Sequence, residues 1–181
     1  MLAPAAQAAP VATGGAPVVS SQPSADAAPG AEGFVAPAGR ARLAAGRAIA
    51  PADAPPPVVA AITAANRLVG KPYRYGGGHA SFSDSGYDCS GAVSYALRGA
   101  RLLRSPLDSS AFMRWGARGR GRWITVYTNP GHAYVVIAGL RFDTSLGDRS
   151  QARRAQVTGT GPRWGSPRSP RGFLARHPVG L

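Results

Sequence analysis

Cysteine occurs once in the 181 residues, at Cys89, which excludes an internal disulfide framework and any cysteine-rich zinc site. Acidic residues are also scarce. Eight Asp and Glu stand against 21 Lys and Arg, a formal net charge of +13 that points to anionic partners or an anionic surface. No apolar run reaches about 18 residues, so the chain carries no candidate transmembrane helix. No recognition motif and no aromatic-interleaved basic stripe accompanies the charge, so specific nucleic-acid binding is not expected. The glycines after Tyr75 lack a following Lys-Ser/Thr, which excludes a phosphate-cradling nucleotide loop.

What is present divides near residue 55. Residues 1–54 are rich in Ala, Pro, Gly, Ser and Val, with Phe34 their one aromatic, and read as a disordered tail or linker. Within it a short helical turn around Ala38–Ala50 is weakly signalled. Ala5-Ala6-Gln7-Ala8 has the small-residue look of an export-signal cleavage region, yet no complete signal peptide is visible; a plain Ala-rich tail is the competing reading. The positive charge falls entirely in the remainder, residues 55–181, which reads as one domain.

That domain changes period midway. Pro55-Pro56-Pro57 suits a helix start, and Val58, Ile62, Ala65 and Val69 recur at helical spacing before Gly70. A turn-rich loop follows, and a second helix after Cys89 carries Val93, Ala96, Leu97 and Ala100 on one stripe. Asp108-Ser109-Ser110 offers the cap of a third, short helix ending at Gly116. From Gly121 onward the pattern alternates. Strands are expected over 123–127, 132–138 and 140–144, with a turn at Asn129-Pro130-Gly131 and a tight one near Gly139. Residues 147–171 read as loop and 172–176 as a last strand. Helices first and an antiparallel sheet after define an α+β class.

Cys89 lies in Tyr87-Asp88-Cys89-Ser90-Gly91, immediately before an apolar helix. A thiol there feels the positive end of the helix dipole, which favours thiolate, and the free backbone N–H groups suit a developing oxyanion. A small buried hydrophobe is the competing reading for a lone cysteine. His132 opens a strand whose alternation places it on one face with Tyr134, Val136 and Ala138. In a hairpin with an even-numbered turn, Asp143 falls opposite His132 or on the diagonal, on the same face within roughly 5–8 Å. A one-residue change in turn length moves it to the other face. A carboxylate within reach holds the imidazole's tautomer, as thiol–histidine catalysis requires.

The run Gly70-Lys71-Pro72-Tyr73-Arg74-Tyr75-Gly76-Gly77, then Asp88-Cys89-Ser90-Gly91, then Gly131-His132 opening a strand, resembles the NlpC/P60 family of papain-like cysteine peptidases, mostly bacterial cell-wall endopeptidases. The likeness covers about residues 57–145. It implies N-terminal helices packed on a small antiparallel β-sheet, Cys89 as nucleophile and His132 as general base, with Tyr73 matching the tyrosine beside the nucleophile. The orienting group is commonly a histidine; here Asp143 stands nearest, with Asp148 as the alternative. Arg120-Gly121-Arg122-Trp123-Ile124-Thr125 replaces the Pro-Gly-Asp-Leu type of segment usual before the histidine strand. Backbone N–H groups at Cys89 and Ser90 are the oxyanion candidates. Tyr75, Asp88 and His79 are candidate substrate contacts; a helix cap competes for Asp88 and a solvated loop position for His79. The expectation is a secreted or wall-associated monomer that needs no cofactor or metal and hydrolyses amide bonds in peptidoglycan stem peptides. Its partner is peptidoglycan or another anionic wall polymer. The alternatives are a catalytically silent wall-binding module and a papain-like amidase or acyltransferase acting on another amide.

Overall fold

The structure, a computed structural model, describes residues 39–146 and 160–181. Residues 1–38, most of the expected tail, lie outside the described residues, as does Asp148. Helix α1 (Pro56–Leu68) starts at the proline run, where a missing N–H costs nothing. It buries Val58, Ala61, Ile62, Ala65 and Leu68. Gly70, with φ of 91°, ends it in a left-handed conformation. Helix α2 (Cys89–Gly99) buries Val93, Ala96 and Leu97. A Cβ on Gly99 would lie 2.3 Å from the Ala64 Cβ, so only glycine allows the two helices to approach this closely. Helix α3 (Ser109–Phe112) is capped by Asp108, which accepts from the Ala111 N–H; its helical hydrogen bonding loosens before Gly116.

Before α1, β1 (Arg42–Ala44) and β2 (Arg47–Ile49) form a separate two-stranded hairpin. The main sheet has six strands: β3 (Ala117–Arg118), β4 (Ile124–Asn129), β5 (His132–Ile137), β6 (Leu140–Asp143), β7 (Arg163–Gly165) and β8 (Leu174–His177). Their order is β3-β8-β4-β5-β6-β7, with every neighbouring pair antiparallel. Ile124, Val126, Val135, Ile137 and Phe142 are fully buried and join the helices in one core. Each such side chain contributes about 1.5–3 kcal/mol of burial. The opposite face of β4, β5 and β6 carries Thr125, Tyr127, His132, Tyr134, Val136, Arg141 and Asp143, by strand alternation and register. None of the helices over the described residues is long and apolar enough to cross a membrane.

Residues 39–54 correct the tail reading. Instead of linker or a helical turn, β1 and β2 pair across Ala45-Gly46, both at positive φ. Composition misses this hairpin because its side chains are almost all exposed and its anchor is remote in sequence. The Asn66 side chain accepts from the Ala48 N–H at 2.9 Å and donates to the Ala48 carbonyl at 2.8 Å. The Trp164 indole N–H donates to the same Asn66 oxygen at 2.8 Å. Strand β7, in a stretch that reads as loop, is held likewise from a distance: Trp164 is buried with its ring centroid 4.9 Å from that of Phe142. Strand β3 has no apolar pattern of its own and exists by pairing with β8. Asn66→Ala strands three polar groups in a half-buried position and is expected to destabilise the fold by about 1–3 kcal/mol, measured as a lower urea midpoint. An unchanged midpoint would show that the hairpin is not anchored through Asn66.

Candidate active site

The loop before α2 is built by backbone geometry. The Tyr87 N–H donates to the Pro72 carbonyl and the Arg74 N–H to the Tyr87 carbonyl, bringing Tyr73 beside Tyr87 in a parallel bridge. Asp84 accepts from the Gly78 and Ser85 N–H groups and pairs with Arg74 at 3.0 Å, and these bonds, the Gly78 one foremost, lower its pKa. The Asp88 carboxylate is the loop's hub. Its Oδ1 accepts from the Gly91 N–H at 2.8 Å, capping α2, and its Oδ2 from the Gly76 N–H at 3.1 Å. Gly91 is glycine for a steric reason: a Cβ there would sit 2.0 Å from the Gly77 carbonyl oxygen. The Asp-Cys-Ser-Gly run is thus a cap, a thiol and a close backbone approach, one after another.

Cys89 is the first residue of α2, partly exposed and free. Its own N–H and that of Ser90 belong to the first helical turn, which has no intrahelical acceptors. His132 opens β5. The Asn129 side chain fixes that start by accepting from the Gly131 N–H at 3.0 Å and the His132 N–H at 2.9 Å. The β5–β6 turn is Ala138-Gly139, with φ of 46° and 81°, a two-residue connection that pairs Val135 with Phe142. Asp143 therefore falls on the diagonal from His132, and its Oδ1 lies 2.9 Å from the His132 Nε2. Cys89 lies near enough to the same imidazole to favour its charged form.

Burial of His132 opposes its charged form, but its hydrogen bond to the Asp143 carboxylate and the interaction with Cys89, together with their charges, outweigh it and push the pKa up to about 9. Burial of Asp143 favours its neutral form. The bond and charge of His132 and the Ser145 N–H and hydroxyl prevail, and hold its carboxyl below the usual range. Arg141 Nη1 lies 3.7 Å from Asp143 Oδ2. The result is an imidazolium held against a buried carboxylate, with Cys89 nearby.

The remaining candidates divide. Ser90 is buried at the head of α2, with its hydroxyl on Asp88. Tyr73 is half-buried in the loop beside α2, and Tyr75 is 89% exposed. The His79 Nε2 is 3.0 Å from Asp88 Oδ1 and 3.1 Å from the Ser90 hydroxyl, which ties it into the loop hub and not into open solvent. Asp88 is buried and engaged as the cap, so its carboxylate faces the protein. Among the described residues no group of His, Cys, Asp and Glu could hold a metal ion.

The structure adds residues that sequence reasoning did not select. The Phe173 ring, from the segment before β8, sits edge-on to His132 with centroids 6.2 Å apart, and the Asn129 amide donates to the Gly172 carbonyl beside it. Tyr134 is fully buried, stacked on Tyr127 at 5.1 Å, and burial pushes its pKa up to about 12. Alternation placed Tyr134 on the His132 face; nothing local to Phe173 signals its contact.

No family model matches the chain and no curated protein matches it in sequence. Solved structures match its fold. The peptidoglycan hydrolase RipB from Mycobacterium tuberculosis is 21% identical with a TM-score of 0.51, covering 69% of this chain and 66% of that one. The chain thus spans just under two thirds of the RipB structure. The resuscitation-promoting-factor interacting protein RipA gives a TM-score of 0.47 at 20% identity, covering 78% of this chain and 70% of that one. An NlpC/P60 family protein from Bacillus cereus gives 0.47 at 17%, covering 66% and 39%. The RipB likeness carries the fold: this domain has the α+β arrangement that the NlpC/P60 resemblance implies.

His132 is expected to titrate near pH 9 when followed by ring NMR signals, and Asp143→Asn should bring that titration down. A folded-state pKa above the ordinary value stabilises the protein fully below about pH 6.5 and is lost as pH rises through about 9. The urea-measured penalty of Asp143→Asn should accordingly be larger at about pH 6 than at about pH 10. A penalty independent of pH would mean that no imidazolium–carboxylate pair exists.

Proposed function

We propose that this chain is a cysteine peptidase that hydrolyses an amide bond in the stem peptides of peptidoglycan. One observation carries the reading: His132 bonds a buried carboxylate through Nε2, and Cys89 at the head of α2 lies near enough to that imidazole to help raise its pKa. A structural cysteine needs no such partners. The fold shared with RipB, itself described as a peptidoglycan hydrolase, supports the substrate class. That substrate calls for a secreted or wall-associated protein, and a monomer belongs to the same proposal.

In the proposed reaction the Cys89 thiolate attacks the amide carbonyl carbon. The N–H groups of Cys89 and Ser90 receive the oxyanion. As the tetrahedral species collapses, the His132 imidazolium gives its proton to the departing amine and a thioester remains. Neutral His132 then takes a proton from water, whose oxygen attacks the thioester carbonyl. The acid product leaves, and thiolate and imidazolium are restored. Asp143 keeps the ring oriented and stabilises its charge in both half-reactions.

Mass spectrometry of purified muropeptides after incubation with the protein should show newly cleaved stem peptides. Cys89→Ala should lower cleavage by about 10³-fold or more with circular dichroism unchanged. A Cys89→Ala protein as active as the parent ends the proposal. Cleavage of other amides but not of stem peptides would keep the chemistry and discard the substrate. The alkaline limb of kcat/KM should fall near pH 9, where His132 loses its proton, and should move to lower pH in Asp143→Asn.

A further inference from the structure

Two rings flank His132, and both hold a cation. Phe173 stands edge-on to the imidazole with centroids 6.2 Å apart, and Tyr134 lies tilted to it at 6.3 Å. The two rings meet each other edge-to-face at 5.1 Å. The Arg168 guanidinium lies over both, 5.2 Å from the Phe173 centre and 5.7 Å from that of Tyr134. Both separations are those of a cation–π contact. Arg168 is thus fixed by two rings, each of which also touches His132.

This guanidinium is open to solvent. The ion pairs among the described residues belong to Arg74, His79, His132 and Arg141, and Asp143, the acid beside Tyr134, is engaged by His132, Ser145 and Arg141. Two more donors of the patch are unmet: among the described residues the buried Tyr134 hydroxyl and Arg141 Nε have no hydrogen-bond partner. The surroundings of Arg168 therefore favour an incoming acceptor with negative charge. A guanidinium resting on rings keeps its edge N–H groups for that acceptor, and the rings reduce the side-chain freedom lost when it binds.

The proposed reaction supplies the direction. His132 has to stand beside the departing amine to protonate it, so the chain beyond the scissile nitrogen passes this flank of the ring. A residue spans at most about 3.3–3.6 Å, which lets a carboxylate within two residues of that nitrogen reach past Phe173. The guanidinium fork matches the two oxygens of a carboxylate. We infer that Arg168 determines specificity by binding a stem-peptide carboxylate on the leaving side of the scissile amide. This inference rests on the peptidase reading for the side of the bond concerned. The carboxylate could be the α-carboxylate of a γ-linked glutamate or the peptide's terminal carboxylate, and the test separates the two.

The test compares L-alanyl-γ-D-glutamyl-L-lysyl-D-alanine with its isoglutamine analogue and with its terminal carboxamide. Cleavage by the full chain, by Arg168→Gln and by Arg67→Gln on α1 gives kcat/KM. Calorimetry on the same three proteins, each carrying Cys89→Ala, gives Kd without turnover. With Arg168 present, one of the two amidations should lower kcat/KM and raise Kd at least about tenfold, which identifies the carboxylate. In Arg168→Gln neither amidation should matter, while Arg67→Gln should behave as the unsubstituted chain. If no peptide is cleaved the peptidase reading fails, and the Kd comparison still decides whether Arg168 binds a carboxylate. Equal sensitivity to amidation with and without Arg168, or none in the unsubstituted chain, overturns the inference. Should Arg168→Gln fail to fold by circular dichroism, Arg168→Lys gives the comparison, since it keeps the charge, loses the fork and should discriminate less.

Discussion

A two-residue turn governs the chemistry available to this domain. Asp143 reaches His132 only because Ala138-Gly139 joins β5 to β6 without an extra residue. Both turn residues take positive φ, which matches the twist of the strands they connect but is unfavourable for an alanine. One added residue would rotate Asp143 into the hydrophobic core face and leave the imidazole without its counter-charge. The pKa of His132 and the bond between its ring and Asp143 both follow from that register.

A second carboxylate does for Cys89 what the turn does for His132. Asp88 holds the start of α2 and the Gly-rich loop at once, through the N–H groups of Gly91 and Gly76. His79 and Ser90 close the remaining side of this carboxylate. The thiol therefore sits on a helix end that is fixed to the loop in front of it. Gly91 belongs to the same device, since any side chain there would collide with the Gly77 carbonyl.

The outer face of the sheet is more than the back of the core. Arg168 lies over Tyr134 and Phe173 at 5.7 and 5.2 Å from their ring centres, and Arg141 approaches Asp143. Farther along β4, Arg40, Arg120 and Arg122 line a cavity with Thr125 and Tyr127. A chain with few acids can place many guanidinium groups on one surface. The aromatic rings beneath some of them make that crowding tolerable by giving each cation a π-face.

Sequence alone determined the elements whose signals are local. Proline starts α1, Asp88 caps α2, and alternation sets β4, β5 and β6, because propensity and side-chain period act over a few residues. The thiol, the histidine and the shared face of His132 and Tyr134 were legible for the same reason, as was the pair of registers open to Asp143. Tertiary structure alone chose the diagonal register, since turn geometry and not period selects it. It also decided the β1–β2 hairpin on Asn66, β7 through Trp164, and Phe173 against His132. Those contacts join residues far apart in the chain, and a polar or aromatic partner at that distance leaves no periodic trace in the segment it holds.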